Sequence, residues 1–213
     1  PDLDLCIEIH RRLTPAEAVV FAKELEPYRP MFYEDPIRPD SFDAMARVND
    51  RITIPLATGE RFNSLHDFQN LLRRDGVDYV RTSVCLCGGL TGAKKIAAIA
   101  EANDVQIVPH NPLSPVCLFA ELQLDASVAN FAIQEYSNVG VGFEDKGTSN
   151  EPTTRLADAS LVTNVPAFKD GFVEIPTGPG LGTKLAPDAA EKHPPFPRRV
   201  RMRPHVDGSL VDQ

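Results

Sequence analysis

Three glutamates recur at a constant interval, and this interval constrains the fold more than any other feature. Glu8, Glu34 and Glu60 are each 26 residues apart, and each follows a short apolar run. A spacing of about 26 residues is typical of one β-strand plus one α-helix with their connections. Each glutamate is therefore predicted to lie at the C-terminal end of a successive strand.

The segments between these glutamates alternate between strand and helix patterns. Thr14 and Ser64 are predicted N-caps, Pro15 fits the first helical position after Thr14, and apolar residues recur at helical spacing after both. Such β-α alternation predicts a parallel sheet covered by helices. The predicted strands are residues 3–9, 31–33, 53–57, 79–82, 105–108 and 131–133.

Two further polar residues continue the series. His110 and Glu135, 25 residues apart, follow the fifth and sixth predicted strands. A TIM-type barrel carries its functional residues at the C-terminal ends of many strands, whereas an open doubly wound sheet binds its ligand at one switch point. The pattern favours the barrel, and Gly88-Gly89 alone is a weak phosphate-binding signal. Residues 1–135 are predicted to be a partial barrel domain.

The composition excludes several classes of protein. Lys and Arg number 22 against 30 Asp and Glu, and a net charge of −8 argues against a general nucleic-acid binder. No apolar run reaches the roughly 18 residues of a membrane span. Four cysteines are too few for a disulfide scaffold and favour a cytoplasmic location.

The strand-end residues suggest metal chemistry. Carboxylates converging at one rim cannot all ionise without a cation, and hard oxygen ligands suit Mg²⁺, so Glu8, Glu34 and Glu60 are predicted metal ligands. His10 lies two residues beyond Glu8, on the same side if the strand continues, and could act as a general acid or base. Each of the remaining candidates has two interpretations. His110 is either a catalytic histidine or a loop histidine, and Arg81 either binds a substrate carboxylate or hydroxyl or lies on the surface. Glu135 could hydrogen-bond either the substrate or His110.

The rest of the chain carries weaker signals. Residues 136–213 are predicted to form a C-terminal appendage, with a loop at 140–155 and a strand at 160–165. Cys85 and Cys87 are interpreted as small buried residues rather than zinc ligands. The arginines between residues 198 and 203 are interpreted as a solvated tail or an interface segment.

Several motifs together resemble the enolase superfamily, in its mandelate racemase-type branch, among the mannonate, galactonate and gluconate dehydratases. The resemblance covers nearly the whole chain. It rests on Glu34-Asp35-Pro36, Thr58-Gly59-Glu60-Arg61, Gly88-Gly89 before Lys94-Lys95-Ile96-Ala97, Pro109-His110-Asn111-Pro112, His10 with Arg12-Leu13-Thr14-Pro15, Tyr79-Val80-Arg81, and Asn130-Phe131 with Ile133-Gln134-Glu135-Tyr136.

This resemblance implies a Mg²⁺-dependent lyase that removes water from a sugar acid by α-proton abstraction, giving a 2-keto-3-deoxy acid. It implies Mg²⁺ ligands at Glu8, Glu34 and Glu60, and His10 as the acid that protonates the leaving hydroxyl. His110, Glu135 and Arg81 would contact substrate. It also implies a homo-oligomer and a (β/α)7β barrel, of which this chain would supply strands 3–8.

Two departures from the family pattern keep alternatives open. Glu8 stands where the first ligand is usually Asp, and Ser83 stands where many relatives carry an Asp that pairs with the histidine of the next strand. The dehydratase base of the mannonate type lies upstream of the first ligand, outside this sequence. A racemase or epimerase, and a low-activity ligand-binding protein of the starvation-sensing type, remain alternatives.

The repeat arithmetic bears on the length of the chain. Eight units of about 26 residues would need about 208 residues for the barrel alone. Only six strands are predicted in the 213 residues. We therefore expect an N-terminal cap and two strands to precede Pro1 in a longer polypeptide, or a complementary chain to supply them.

Overall fold

A computed structural model describes residues 3–112, 114–136, 159–166, 168–194, 203–204, 206–208 and 210–211. Its main sheet is parallel, and its strands are hydrogen-bonded in chain order. The strands are β1 (Cys6–Glu8), β2 (Phe32–Glu34), β3 (Leu56–Thr58), β4 (Tyr79–Val80) and β5 (Gln106–Ile107). The predicted α/β class and parallel sheet are confirmed, although every strand except β2 is shorter than the sequence pattern indicated, and β2 begins one residue later.

The sixth predicted strand pairs with the sheet at a single point. Phe131 forms a parallel bridge to Ile107, and the amide of Ala132 donates to the carbonyl of Ile107. The order of these six segments is that of successive βα units.

Helices follow the strands of the sheet. They are α1 (Pro15–Leu25), α2 (Phe42–Asn49), α3 (Leu65–Leu72), α4 (Gly89–Glu101) and α5 (Pro115–Asp125), with a 3₁₀ turn at Glu26–Tyr28. Both predicted N-caps are confirmed: Thr14 forms a reciprocal capping box with Glu17, and the Ser64 hydroxyl accepts the amide of Asp67. No helix in the described part of the chain has the length and apolar character to cross a membrane.

The core lies between the sheet and the helices. Leu56 and Ile107 on the strands are fully buried, as are Phe68 and Leu71 on α3 and Ile96 on α4. They belong to one contiguous cluster that joins α1 to α5 through the sheet. This packing fixes the strands relative to one another and therefore fixes where their C-terminal ends meet.

The C-terminal region contains small elements. They are a 3₁₀ turn (Ala159–Leu161), β6 (Phe168–Lys169), β7 (Phe172–Val173), α6 (Ala189–Lys192), β8 (Arg203–Pro204) and β9 (Leu210–Val211). The strands β6 and β7 form a hairpin whose turn residues, Asp170 and Gly171, both have positive φ, as a two-residue turn requires.

The strand predicted at residues 160–165 is wrong. The 3₁₀ turn takes up its first half, and only Val162 bridges to another segment, at Leu185. The hydroxyl of Ser160 contacts Nε2 of His193, which lies 33 residues further along the chain. The loop predicted at 140–155 and Arg198, Arg199 and Arg201 lie outside the described residues. The division into a barrel domain at 1–135 and an appendage at 136–213 remains a prediction.

Candidate active site

The three periodic glutamates meet at the C-terminal ends of their strands. Glu8 and Glu34 are direct register partners in the β1–β2 pair, and Glu60 lies two residues beyond the end of β3. One carboxylate oxygen of each lies within 4.8 Å of the other two. Among the described residues this is the group of acidic, cysteine or histidine side chains that could hold a metal ion.

Gly59 allows the chain to place Glu60 in this cluster. Its φ of 132° lies in a region that side chains rarely adopt, and a Cβ there would be 2.8 Å from the ring of Phe68 and 3.0 Å from the carbonyl of Arg81. The chain therefore turns sharply at the end of β3, against the neighbouring strand.

The three carboxylates have different electrostatic surroundings. Desolvation raises the pKa of Glu8 to about 9, and the charges of Glu34, Asp35 and Glu60 add to this effect, although Glu8 as a whole residue is exposed. Burial also raises the pKa of Glu34, against the opposing charge of Arg81. For Glu60 burial acts upward too, but His110 and Arg11 outweigh it and lower the pKa to about 2.

Glu8 therefore has no counter-charge among the described residues, and with a pKa of about 9 it carries a proton at neutral pH when no cation is bound. Its carboxylate accepts the backbone N–H of His10, and the neighbouring groups that shift its pKa upward are all carboxylates. A bound cation would relieve this repulsion. Three convergent carboxylate oxygens are hard ligands of the kind that Mg²⁺ takes, so the residues present fit this ion.

Arg81 contacts the cluster through Glu34 and links the end of β2 to the segment that carries Glu135. Its Nε is 2.5 Å from Oε1 of Glu34, and its Nη2 is 2.6 Å from Oε2 of Glu135. Its Nη1 donates to the carbonyls of Val108 and Pro109 at 3.0 and 3.3 Å. The guanidinium of Arg81 was expected to bind substrate, but its described hydrogen bonds are all to protein groups. In these contacts Arg81 holds the carboxylate of Glu34 in place.

Glu135 reaches the site from the segment after the Phe131 bridge. Besides Arg81, its Oε2 accepts the backbone N–H of Asn111 at 3.0 Å. Glu135 therefore ties the end of the sixth segment to the loop that carries His110. Its side chain is 32% exposed, so it remains accessible to a ligand.

His110 is partnered by a metal-ligand candidate. Its Nε2 lies 3.1 Å from Oε2 of Glu60, and its backbone N–H donates to Thr82 at 2.7 Å. Within the described residues, Nδ1 of His110 and the hydroxyl of Ser83 are both buried and without a hydrogen-bond partner. Ser83 therefore does not orient this ring. The sequence indicated the same, because Ser83 stands where many relatives carry an Asp that pairs with the histidine.

His10 lies near the cluster for a different reason from the expected one. The prediction that strand alternation puts it beside Glu8 is wrong, because β1 ends at Glu8 and His10 lies in a turn with a φ of 57°. Both ring nitrogens lie within 3.0 Å of Nη2 of Arg11. The contact with Arg11, rather than strand geometry, holds the ring.

Arg11 is the residue that the sequence reasoning missed. It is buried, and its Nη1 donates to Asp35 at 2.8 Å and to Glu60 at 2.7 Å. Asp35 also accepts the hydroxyl of Thr58 at 2.5 Å. No sequence signal distinguishes Arg11 from its exposed neighbour Arg12, since the partners of Arg11 lie 24 and 49 residues away.

Comparisons with known proteins show the family of the chain. The family model described as "Enolase C-terminal domain-like" matches residues 1–189. A D-mannonate dehydratase of Sphingomonas sp. (strain SKA58) is 37% identical over 191 residues, which are 89% of this chain and 44% of that protein. A D-galactonate dehydratase of Ralstonia pickettii (strain 12J) is 35% identical over 97% of this chain and 52% of its own length.

The structural comparison gives the same result. The crystal structure of an enolase from Agrobacterium radiobacter, with bound sodium and L-malate, superposes with a TM-score of 0.87 at 30% identity, covering 98% of this chain and 53% of that one. The chain thus spans about half the length of the relatives that it matches.

Proposed function

This chain belongs to the enolase C-terminal domain-like family. We therefore propose that it is part of a Mg²⁺-dependent dehydratase that removes water from a sugar acid to give a 2-keto-3-deoxy acid. The observation that carries the proposal is the cluster of Glu8, Glu34 and Glu60, whose carboxylate oxygens converge and whose mutual repulsion helps to raise the pKa of Glu8. The names of the relatives, D-mannonate and D-galactonate dehydratase, support an aldonate as the substrate class.

In this proposal Glu8, Glu34 and Glu60 hold the ion. When bound, Mg²⁺ supplies Lewis-acid stabilisation of the negative charge that develops on the substrate carboxylate as the α-proton leaves. The ion pair with Arg81 opposes protonation of Glu34 and fixes its carboxylate, and Arg11 with His110 lowers the pKa of Glu60 and fixes it. These contacts preorganise the ligands before the ion arrives.

The remaining site residues act on the substrate. His10 protonates the departing β-hydroxyl, which requires one ring nitrogen to turn away from the guanidinium of Arg11, since that group only donates hydrogen bonds. His110 and Glu135 contact the substrate hydroxyls from the fifth and sixth strand ends. The α-proton is taken by a base that this proposal assigns to the part of the protein upstream of Glu8, and loss of the hydroxyl then gives an enol that tautomerises to the 2-keto acid.

The test is a screen of five- and six-carbon sugar acids with Mg²⁺ and the purified full-length protein that contains this chain, in which the 2-keto product is detected as its semicarbazone. We expect one or a few acids to be consumed and turnover to be lost in Glu60→Gln. Turnover that survives Glu60→Gln, or that is unaffected by a chelator, would overturn the metal assignment. A complete screen without product would overturn the dehydratase.

A ligand-binding protein without turnover is the second candidate. Arg81 and Arg11 already neutralise Glu34 and Glu60, and His10 is held against Arg11. Saturable binding of a sugar acid, measured by calorimetry, with no product would favour this candidate. A racemase or epimerase is less well supported, because Ser83 leaves Nδ1 of His110 without an orienting group. Exchange of the α-proton with solvent deuterium without loss of water would favour it.

The proposal extends to assembly and location. It includes a homo-oligomer in the cytoplasm, with an N-terminal cap and two further strands completing the barrel, from the same polypeptide or from a complementary chain. Light scattering of the purified protein gives the mass of the assembly, and a mass equal to a single chain would contradict the oligomer.

A further inference from the structure

A carboxyl group on α5, outside the acidic cluster, is fully buried. Glu121 has no exposed surface, and Leu118 and Leu122 of the same helix are also buried. Removing such a group from water is costly unless hydrogen bonds compensate for it. Burial raises the pKa of Glu121 to about 8, so the group is largely protonated at neutral pH. Its role is therefore expected to lie in its hydrogen bonds rather than in its charge.

Glu121 is bonded to a side chain 13 residues further along the chain. Nε2 of Gln134 donates to Oε2 of Glu121 at 2.8 Å and to the backbone carbonyl of Glu135 at 2.9 Å. The opposite orientation of this amide would place its oxygen against the carbonyl of Glu135, so the acceptors fix the orientation. The amide of Gln134 thus joins α5 to the backbone at Glu135, although its own Oε1 is buried without a partner among the described residues.

This contact holds a stretch of backbone that lies beyond the pairing of the sheet. In the described part of the chain, the last backbone hydrogen bond from the sixth segment to the sheet is the one that Ala132 donates to Ile107. Gln134 and Glu135 follow that bond. The backbone there is therefore held by side-chain contacts, and the bond from Gln134 to Glu121 attaches it to a fully buried group.

The position of Glu135 matters to two other strand ends. Its Oε2 accepts Nη2 of Arg81 at 2.6 Å and the backbone N–H of Asn111 at 3.0 Å. Arg81 also pairs with Glu34, and Asn111 directly follows His110. A displacement of the backbone at Glu135 would therefore disturb a metal-ligand candidate and the loop of a substrate-contact candidate together.

We propose that Glu121 is a positioning residue for Glu135 and that it acts through the amide of Gln134. None of its described contacts is with the acidic cluster, so it is not a catalytic residue. The expected effect on turnover rests on the proposed dehydratase function, whereas the effect on the position of Glu135 does not. A residue that only filled the core would stabilise the chain without controlling Glu135.

The first readout is hydrogen exchange at the backbone amide of Asn111, in the full-length protein that contains this chain. This amide donates to Glu135 and therefore reports on the position of its carboxylate. The adjacent amide of His110 donates to the carbonyl of Thr82 at 2.7 Å and serves as the internal reference. Mass spectrometry with fragmentation at single residues separates the two amides.

Glu121→Leu removes the acceptor and keeps an apolar side chain in the core. We expect Asn111 to exchange roughly three to ten times faster in this variant, the factor that loss of one ordinary hydrogen bond gives, and His110 to exchange at the parental rate. Gln134→Leu breaks the same link from its other side and should have the same effect. Glu121→Gln keeps a neutral acceptor and should restore slow exchange.

Gln123→Leu is the matched control. Gln123 is also on α5, and its Nε2 donates to the backbone carbonyl of Pro176 at 2.9 Å, so the variant removes a bond of the same kind away from Glu135. The exchange of Asn111 should not change. Circular dichroism checks that all variants fold, which is expected because leucine suits an apolar core.

The second readout is a double-mutant cycle on turnover. If Glu121 acts through Glu135, Glu121→Leu should lower kcat/KM by roughly three- to tenfold in the parent protein and have little effect in a Glu135→Ala background. A merely structural role would give the same loss in both backgrounds.

Three outcomes would overturn the proposal. They are parental exchange of Asn111 in Glu121→Leu, exchange in Gln123→Leu that is as fast as in Glu121→Leu, and equal losses of kcat/KM in the two backgrounds. If no sugar acid is turned over, the proposed dehydratase function fails, but the exchange measurement still decides whether Glu121 positions Glu135.

Discussion

Arg81, at the end of β4, forms a buried ion pair with Glu34, at the end of β2, across the intervening strand β3. Both side chains are about 5% exposed. A buried guanidinium and carboxylate each cost several kcal/mol to remove from water, and here each compensates the other. The pair therefore gives a buried metal-ligand candidate a counter-charge that opposes its protonation.

Replacing Arg81 with Met is expected to lower the free energy of unfolding by about 3 kcal/mol, because Glu34 is then left buried without a counter-charge. Denaturant unfolding monitored by circular dichroism measures this change. The matched control is Arg74→Met, which removes an exposed ion pair with Asp43 and should cost less than about 1 kcal/mol. Equal losses for the two variants would argue against a supporting role for Arg81.

The adjacent arginines 11 and 12 give a second comparison. Arg11→Met leaves Asp35 and Glu60 without a shared cation and is expected to cost about 3 kcal/mol, whereas exposed Arg12→Met should change stability by less than about 0.5 kcal/mol. Thermal unfolding of both variants beside the parent protein gives the difference. If Arg12→Met destabilises the chain more than Arg11→Met, the assigned contacts of Arg11 are wrong.

Asp125, the last residue of α5, gives a pH prediction. It is 7% exposed, and within the described residues neither of its carboxylate oxygens has a hydrogen-bond partner. Burial raises its pKa from 3.8 to about 8. The folded state then holds a proton that the unfolded state releases above pH 3.8, so stability falls as the pH rises from about 4 to 8.

Asp125→Asn should abolish the loss of folding stability between about pH 4 and pH 8, because asparagine does not ionise. We expect the variant to be more stable than the parent protein by roughly 2 kcal/mol at pH 8.5, and to differ little at pH 4, where the carboxyl is protonated in the folded state. Unfolding curves at the two pH values test it. A variant that is destabilised equally at both would show that Asp125 is ionised and paired in the folded protein.

The sequence predicted the parts of this site that depend on local periodicity. The 26-residue interval placed Glu8, Glu34 and Glu60 at strand ends, because successive parallel strands end at one edge of a sheet. Thr14 and Ser64 were identifiable as N-caps because capping is decided within four residues.

The rest depended on contacts between distant segments. The residues next to Arg11 in the sequence do not predict its ion pairs with Asp35 and Glu60. The ring of His10 is likewise positioned by its contact with Arg11 and not by strand alternation. The strand predicted at 160–165 failed for a similar reason, since its apolar residues pair with the sequence-distant Leu185 at one point only. Pairing of this kind is set by tertiary packing, which overrides local propensity.

If Glu8, Glu34 and Glu60 bind Mg²⁺, Glu8→Gln should weaken the binding without unfolding the chain, because Glu8 is exposed and has no arginine partner among the described contacts. The measurement is isothermal titration of Mg²⁺ into the metal-free protein, with the exposed Glu101→Gln on α4 as the control. We predict one ion per chain in the parent protein and in Glu101→Gln, and at least about tenfold weaker binding in Glu8→Gln. Equal affinity in all three proteins, or no binding by the parent protein at millimolar Mg²⁺, would show that the three glutamates are not a Mg²⁺ site.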